Sequence, residues 1–166
     1  MKHILLFVCL LVPGAAFAEK LEVGKYAKVF TGPEGLAVTF VPLKSKDGAL
    51  IEISGVETEI DGIVMRYEKV TTGRDARMWK TTLHGEGYNT FHDRPYRWGD
   101  ARDYKIFLPE RPVKGISVRF DEKKTKEVRA LHVLTAYEKK ANQDAIKKLA
   151  ARNRAERERH PDTTLA

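Results

Sequence analysis

Six side chains able to move protons or hold cations fall in one short run, HGEGYNTFHDRPYRWGDARDY at 84–104: His84, Glu86, His92, Asp93, Asp100 and Asp103. Three chemistries deserve a test against this run. A metal site needs ligands that one element brings to one face, as His-x-His does on a strand or His-x-x-x-His on a helix. His84 and His92 lie eight apart with Gly85 and Gly87 between them, so no such spacing results. General acid–base hydrolysis needs two carboxyl groups whose separation and burial the fold sets. Glu86 with Asp93, or Asp100 with Asp103, are the available pairs, and Arg94, Arg97 and Arg102 stand ready to neutralise them. Nucleophilic catalysis has less to work with. There is no Gly-x-Ser-x-Gly elbow, and Ser45, Ser54 and Ser117 have no histidine close in sequence.

The same run is rich in Tyr88, Phe91, Tyr96, Trp98 and Tyr104 interleaved with arginine. Tyrosine, tryptophan and arginine carry interface energy, because they give large rigid contact area with a polar end. The run therefore reads as an irregular connection presenting a contact surface, with Tyr88, Arg94, Tyr96, Arg97 and Trp98 as the binding residues. An exported hydrolase or metal-dependent enzyme using His84, His92 and Asp93 is the alternative. No catalytic residue, metal ligand or cofactor is assigned.

The elements around the run read as β. Leu36, Val38 and Phe40 alternate up to Pro42; Tyr104, Ile106 and Leu108 alternate before Pro109; Ile116, Val118 and Phe120 alternate against polar neighbours. Trp79, Thr81 and Leu83 form a weaker set. Between Ile51 and Val70 the apolar phase changes at Gly55, which predicts a bulge. Asp61-Gly62 predicts a two-residue type I′ hairpin turn that sets Ile60 opposite Ile63, Thr58 opposite Met65 and Val56 opposite Tyr67. EKKTKE at 122–127 reads as a charged turn. VRALHVLTAY at 128–137 fits a strand or a helix, and its β-branched content favours strand. From 138 to 160 the chain reads as a basic helix capped by Asn142, with Ile146 and Leu149 on a thin apolar face and Pro161 as its stop. The predicted fold is an antiparallel β-sandwich or barrel of about seven to nine strands over 19–137, a C-terminal basic α-helix over 138–160, and a disordered tail at 161–166.

The ends and the charge bound the setting. Lys2, the apolar run ILLFVCLLV and Ala16-Phe17-Ala18 predict a Sec signal peptide over 1–18 and a periplasmic or secreted protein. The apolar run is too short to span a bilayer, which takes roughly 20 residues. Cys9 is the single cysteine and falls inside that segment, so the remaining chain forms no disulfide and no cysteine-based zinc site. Net charge is +7, and eight Lys or Arg against four Asp or Glu lie between Glu138 and Arg159. This favours an acidic protein or glycan of the cell envelope as partner, not nucleic acid, with at most peripheral electrostatic membrane contact. An accessory subunit docking through the basic helix is the third reading.

Overall fold

The computed structural model describes residues 21–72, 75–81, 89–96, 101–108 and 111–159. Eight strands form a closed antiparallel barrel: β1 (Lys28–Thr31), β2 (Ala37–Pro42), β3 (Gly48–Ser54), β4 (Val64–Thr72), β5 (Ala76–Lys80), β6 (Asn89–Pro95), β7 (Arg102–Leu108) and β8 (Arg111–Phe120). Each strand pairs with its neighbour in sequence, and β1 closes onto β8 through Phe30 opposite Phe120 and Thr31 opposite Arg119. Of the two predicted architectures the chain adopts the barrel, followed by a C-terminal helix. Period-2 alternation sends Val38, Phe40, Ile51, Ile53, Met65, Tyr67, Phe91, Ile106 and Val118 into one interior cluster. Pro42 ends β2, where its missing N–H costs the ladder nothing.

β3 is apolar on both faces. Ala49 and Ile51 point inward, while Leu50 joins Val41, Val64, Ala130 and Val133 in a second cluster outside the barrel. That outer cover is helical. α1 (Glu122–Glu127) is capped by Asp121, whose side chain accepts from the Lys124 N–H at 2.9 Å. Thr125 Oγ1 ties it to β1 by accepting from the Val29 N–H at 2.9 Å. α2 (Ala130–Glu138) follows, then α3 (Lys140–Arg159).

Several sequence expectations are corrected here. The 122–127 turn is a helix, and the strand favoured at 128–137 is α2. Ala130, Val133, Leu134 and Tyr137 repeat at the i, i+3, i+4, i+7 spacing of a buried helical stripe, and this outweighs β-branched content. Two helices thus precede the basic helix expected at 138–160, which is α3. The hairpin register is also different: Met65 opposes Ile51 and Tyr67 opposes Ala49. Gly55 ends β3 at φ 75°, packed so closely on the Gly35 backbone that a Cβ has no room. The chain then loops, with the Val56 N–H donating to Asp61 Oδ1 at 3.1 Å. Asp61-Gly62 does turn, the Ile63 N–H reaching Ile60 O at 3.1 Å, but only Gly62 has positive φ, so the turn is not type I′. Finally, Asn142 lies inside α3 and does not cap it. Its Oδ1 accepts from the Val64 N–H at 3.0 Å and its Nδ2 donates to Val64 O at 2.9 Å.

α3 lays Ile146 and Leu149 against the end of the interior where the 55–63 loop carries Val56, Ile60 and Ile63. Arg152 pairs with Glu59 of that loop. The basic helix therefore docks on its own barrel and closes one end of it. Among the described residues no helix is long and apolar enough to cross a membrane.

Candidate functional site

At the other end of the barrel the described residues leave a cavity. Strands running up end there and strands running down begin there, which gathers the starts of β1, β3, β5 and β7 with the ends of β2, β4 and β6. Five rings floor this mouth. Phe30 sits 4.7 Å from Tyr104 and 5.2 Å from Phe91, and Trp79 sits 4.9 Å from Phe40 and 5.5 Å from Phe91, centroid to centroid. Above them lie Lys28, Lys46, Lys69 and Arg77, around a cavity of about 350 Å³.

Among the described residues one carboxylate faces the same space. Asp93 is 7 % exposed and bound by Arg102, whose Nη2 also donates to Asp75 O at 3.1 Å. The Asp93 hydrogen bond holds the Arg102 guanidinium above its ordinary value. Burial, with the Asp93 charge adding to it, pushes the Tyr104 phenol up. Arg77 stands at the outer limit of an ion pair with Asp93, 4.0 Å away. Among the described residues no carboxylate pairs with Lys28, Lys46 or Lys69, so the mouth carries net positive charge.

Lys28 also borders a second feature, a groove between residues 21–28 and α1–α2 with a volume of about 1150 Å³. The large hydrophobics exposed among the described residues are Tyr26 (69 %), Tyr96 (56 %), Phe120 (48 %) and Leu131 (68 %). All but Tyr96 line this groove. Among the described residues its charged border holds Lys25, Lys28, Lys44, Lys126 and Arg129 against one acid, Glu22, which Lys44 binds at 2.9 Å, while Lys126 pairs with Glu122 of α1 at 2.7 Å. Exposed apolar area gathered into one concave patch marks an interaction surface.

The sequence-predicted residues fall as follows. Tyr88, Arg97 and Trp98, like His84, lie outside the described residues. Arg94 is exposed on β6. Tyr96 follows β6 at the mouth end, its N–H donating to Ala101 O at 2.9 Å. The expectation of an irregular connection is corrected in part, since 89–95 and 102–108 are regular paired strands with Asp93 opposite Tyr104. His92 and Asp93 are strand neighbours and so face opposite ways. Asp93 enters the mouth, whereas the His92 ring packs outside, 4.4 Å from Phe107. Among the described residues no three His, Cys, Asp or Glu side chains gather where a cation could sit.

The mouth cations and the groove were missed. A signal for the mouth existed: Lys28 and Phe30, Lys69 and Tyr67, and Arg77 and Trp79 each set a cation two residues from an inward aromatic, on the same strand face.

His92 has a consequence of its own. It is 8 % exposed, and its Nε2 has no hydrogen-bond partner among the described residues. Burial first, then the Arg94 and Lys105 charges, lower its pKa from 6.5 to about 4. The unfolded chain therefore binds one more proton than the folded chain between these values. Stability rises with pH across that window, by up to about 3 kcal/mol in total, and this contribution is level above it. Urea unfolding of wild type and His92→Phe from pH 4 to 7.5 checks this. The stability of His92→Phe relative to wild type should rise as the pH falls; parallel curves would sink the assignment.

Comparison of the chain with protein-family models, with curated proteins and with solved structures gives no match in any of the three.

Proposed function

We propose that this chain is an exported, non-catalytic binding protein of the cell envelope, and that its groove docks an acidic amphipathic segment of a partner protein. The observation that carries the reading is the clustering of Tyr26, Phe120 and Leu131 in one groove bordered by five Lys or Arg and one paired acid. Apolar centres with charged rims are how helical segments are held in grooves, and rim charge chooses the partner's sign. Export is supported by the charged, apolar and small-residue order of residues 1–18. Of the contact candidates within 84–104, Tyr96, exposed at the mouth end, and Arg94 on β6 are the two among the described residues.

Fluorescence anisotropy tests this with two labelled helical peptides. Both carry leucine at i, i+4 and i+7; one has glutamate elsewhere and the other lysine. The acidic peptide should bind, weaken as salt rises, and lose about tenfold or more with Leu131→Asp. Equal binding of both peptides, or full affinity in Leu131→Asp, would end this reading. Competition by an acidic polysaccharide but by neither peptide would move the partner to a glycan.

A further inference from the structure

We propose that the barrel mouth is a second site, separate from the groove, that takes a small aryl acid: one or two aromatic rings bearing a carboxylate, sulfonate or phosphate. It goes beyond the groove reading and stands or falls without it.

Size comes first. The mouth encloses about 350 Å³. An apolar cavity of about 150 Å³ takes a benzene ring, so the mouth has room for one ring or two. It has no room for a long chain, because the barrel below it is filled. Ile51, Met65, Tyr67 and Ile106 are each at most 1 % exposed.

The floor sets the body of the ligand. Phe30, Phe40, Trp79, Phe91 and Tyr104 pack on one another, and Phe30 and Phe91 are at most 2 % exposed, so a ligand meets the outer surface of this cluster, where Tyr104 is half-buried and Phe40 and Trp79 keep 8 % and 5 % of their surface. A flat ring laid on this surface gains stacked or edge-to-face contact with those three rings.

The rim sets the charge. Lys28, Lys46 and Lys69 have no carboxylate partner among the described residues, while Arg102 already holds Asp93. Arg77, 4.0 Å from Asp93, keeps its guanidinium edge available for a two-oxygen acid group. A concave site with low-dielectric walls strengthens the attraction of such cations for an anion. Lys46 holds its place through a left-handed backbone (φ 64°) in the β2–β3 turn, so it reaches over the mouth from a tight turn.

Calorimetry on the full chain tests the proposal with three probes: 2-naphthoate, its neutral analogue 2-naphthamide, and decanoate. The chain has two tryptophans, Trp79 and Trp98. In a Trp98→Phe background the indole N–H resonance of Trp79 reports the mouth alone. Naphthoate should bind one to one and shift that resonance. Naphthamide and decanoate should each bind about tenfold or more weakly. Lys69→Glu with Lys46→Glu, both on the mouth only, should cost naphthoate at least about tenfold. Lys46→Glu alone, in an exposed turn, is the second variant should the pair disturb folding. Lys126→Glu, on the groove only, should leave naphthoate binding unchanged. No shift of Trp79 with naphthoate at millimolar concentration would overturn the site. Naphthamide binding as tightly as naphthoate would overturn the anion requirement, and tighter binding of decanoate the aryl requirement. Loss of binding in Lys126→Glu would place the ligand in the groove and overturn the proposal while leaving the groove reading in force.

Discussion

Replacing Phe91 by alanine lowers the stability of the barrel by about 3–5 kcal/mol. Phe91 is 1 % exposed and stands on β6 between Trp79 of β5 and Ile106 of β7 in register. Its ring lies within 6.1 Å, centroid to centroid, of Phe30, Phe40, Trp79 and Tyr104. Truncation removes the apolar area and the ring–ring pairs together. The hole cannot collapse, because every neighbour is fixed to a strand of a closed sheet. Chemical denaturation should give a lower midpoint with an unchanged slope, and Phe91→Leu should recover most of the loss. A loss under about 1 kcal/mol would mean that the five rings do not pack as one cluster.

Asn142→Ala should cost about 2–4 kcal/mol. One side chain here satisfies both backbone groups of Val64, a residue only 2 % exposed, and adds a bond to Tyr137 O at 3.2 Å. Each buried backbone group left without a partner costs about 1–3 kcal/mol. Asn142→Asp should not rescue, since it keeps an acceptor for the Val64 N–H but sets a carboxylate oxygen against Val64 O. Hydrogen exchange gives the local readout: the Val64 amide loses protection in Asn142→Ala and keeps it in Ile146→Ala. Stability within about 0.5 kcal/mol of wild type would show that the bridge does not hold α3 to β4.

These two residues also show what the sequence made legible. Strands with one buried face and one solvated face announce themselves by alternation. Val38 and Phe40 of β2, Tyr104 and Ile106 of β7, and Ile116 and Val118 of β8 were readable for that reason. β3 is covered on both faces, so the apolar run from Ala49 to Ile51 carries no phase. The shift at Gly55 looked like a bulge within a hairpin because nothing local reveals that Gly55 packs on Gly35. Asn142 fits a helix cap by type, and only the tertiary fold supplies Val64 as its partner. The site was less legible still. Residues 28, 46, 69 and 77 meet only because an eight-stranded meander returns to one rim, and Tyr26, Phe120 and Leu131 meet only because α2 is a helix.

The closure of β1 onto β8 has a consequence for how the molecule comes into being. Phe30 and Phe120 are about ninety residues apart in sequence, and Leu149 joins the same interior later still. A chain emerging from its N-terminus can form β1 to β7 yet has no means of sealing the seam before Arg119 and Phe120 follow. Until then β1 offers an unpaired edge, and the interior stays open at both ends. Such late, non-local closure makes folding slow. During that interval the free edge of β1 can pair with any strand that reaches it, so the order of synthesis leaves β8 to compete for its own partner.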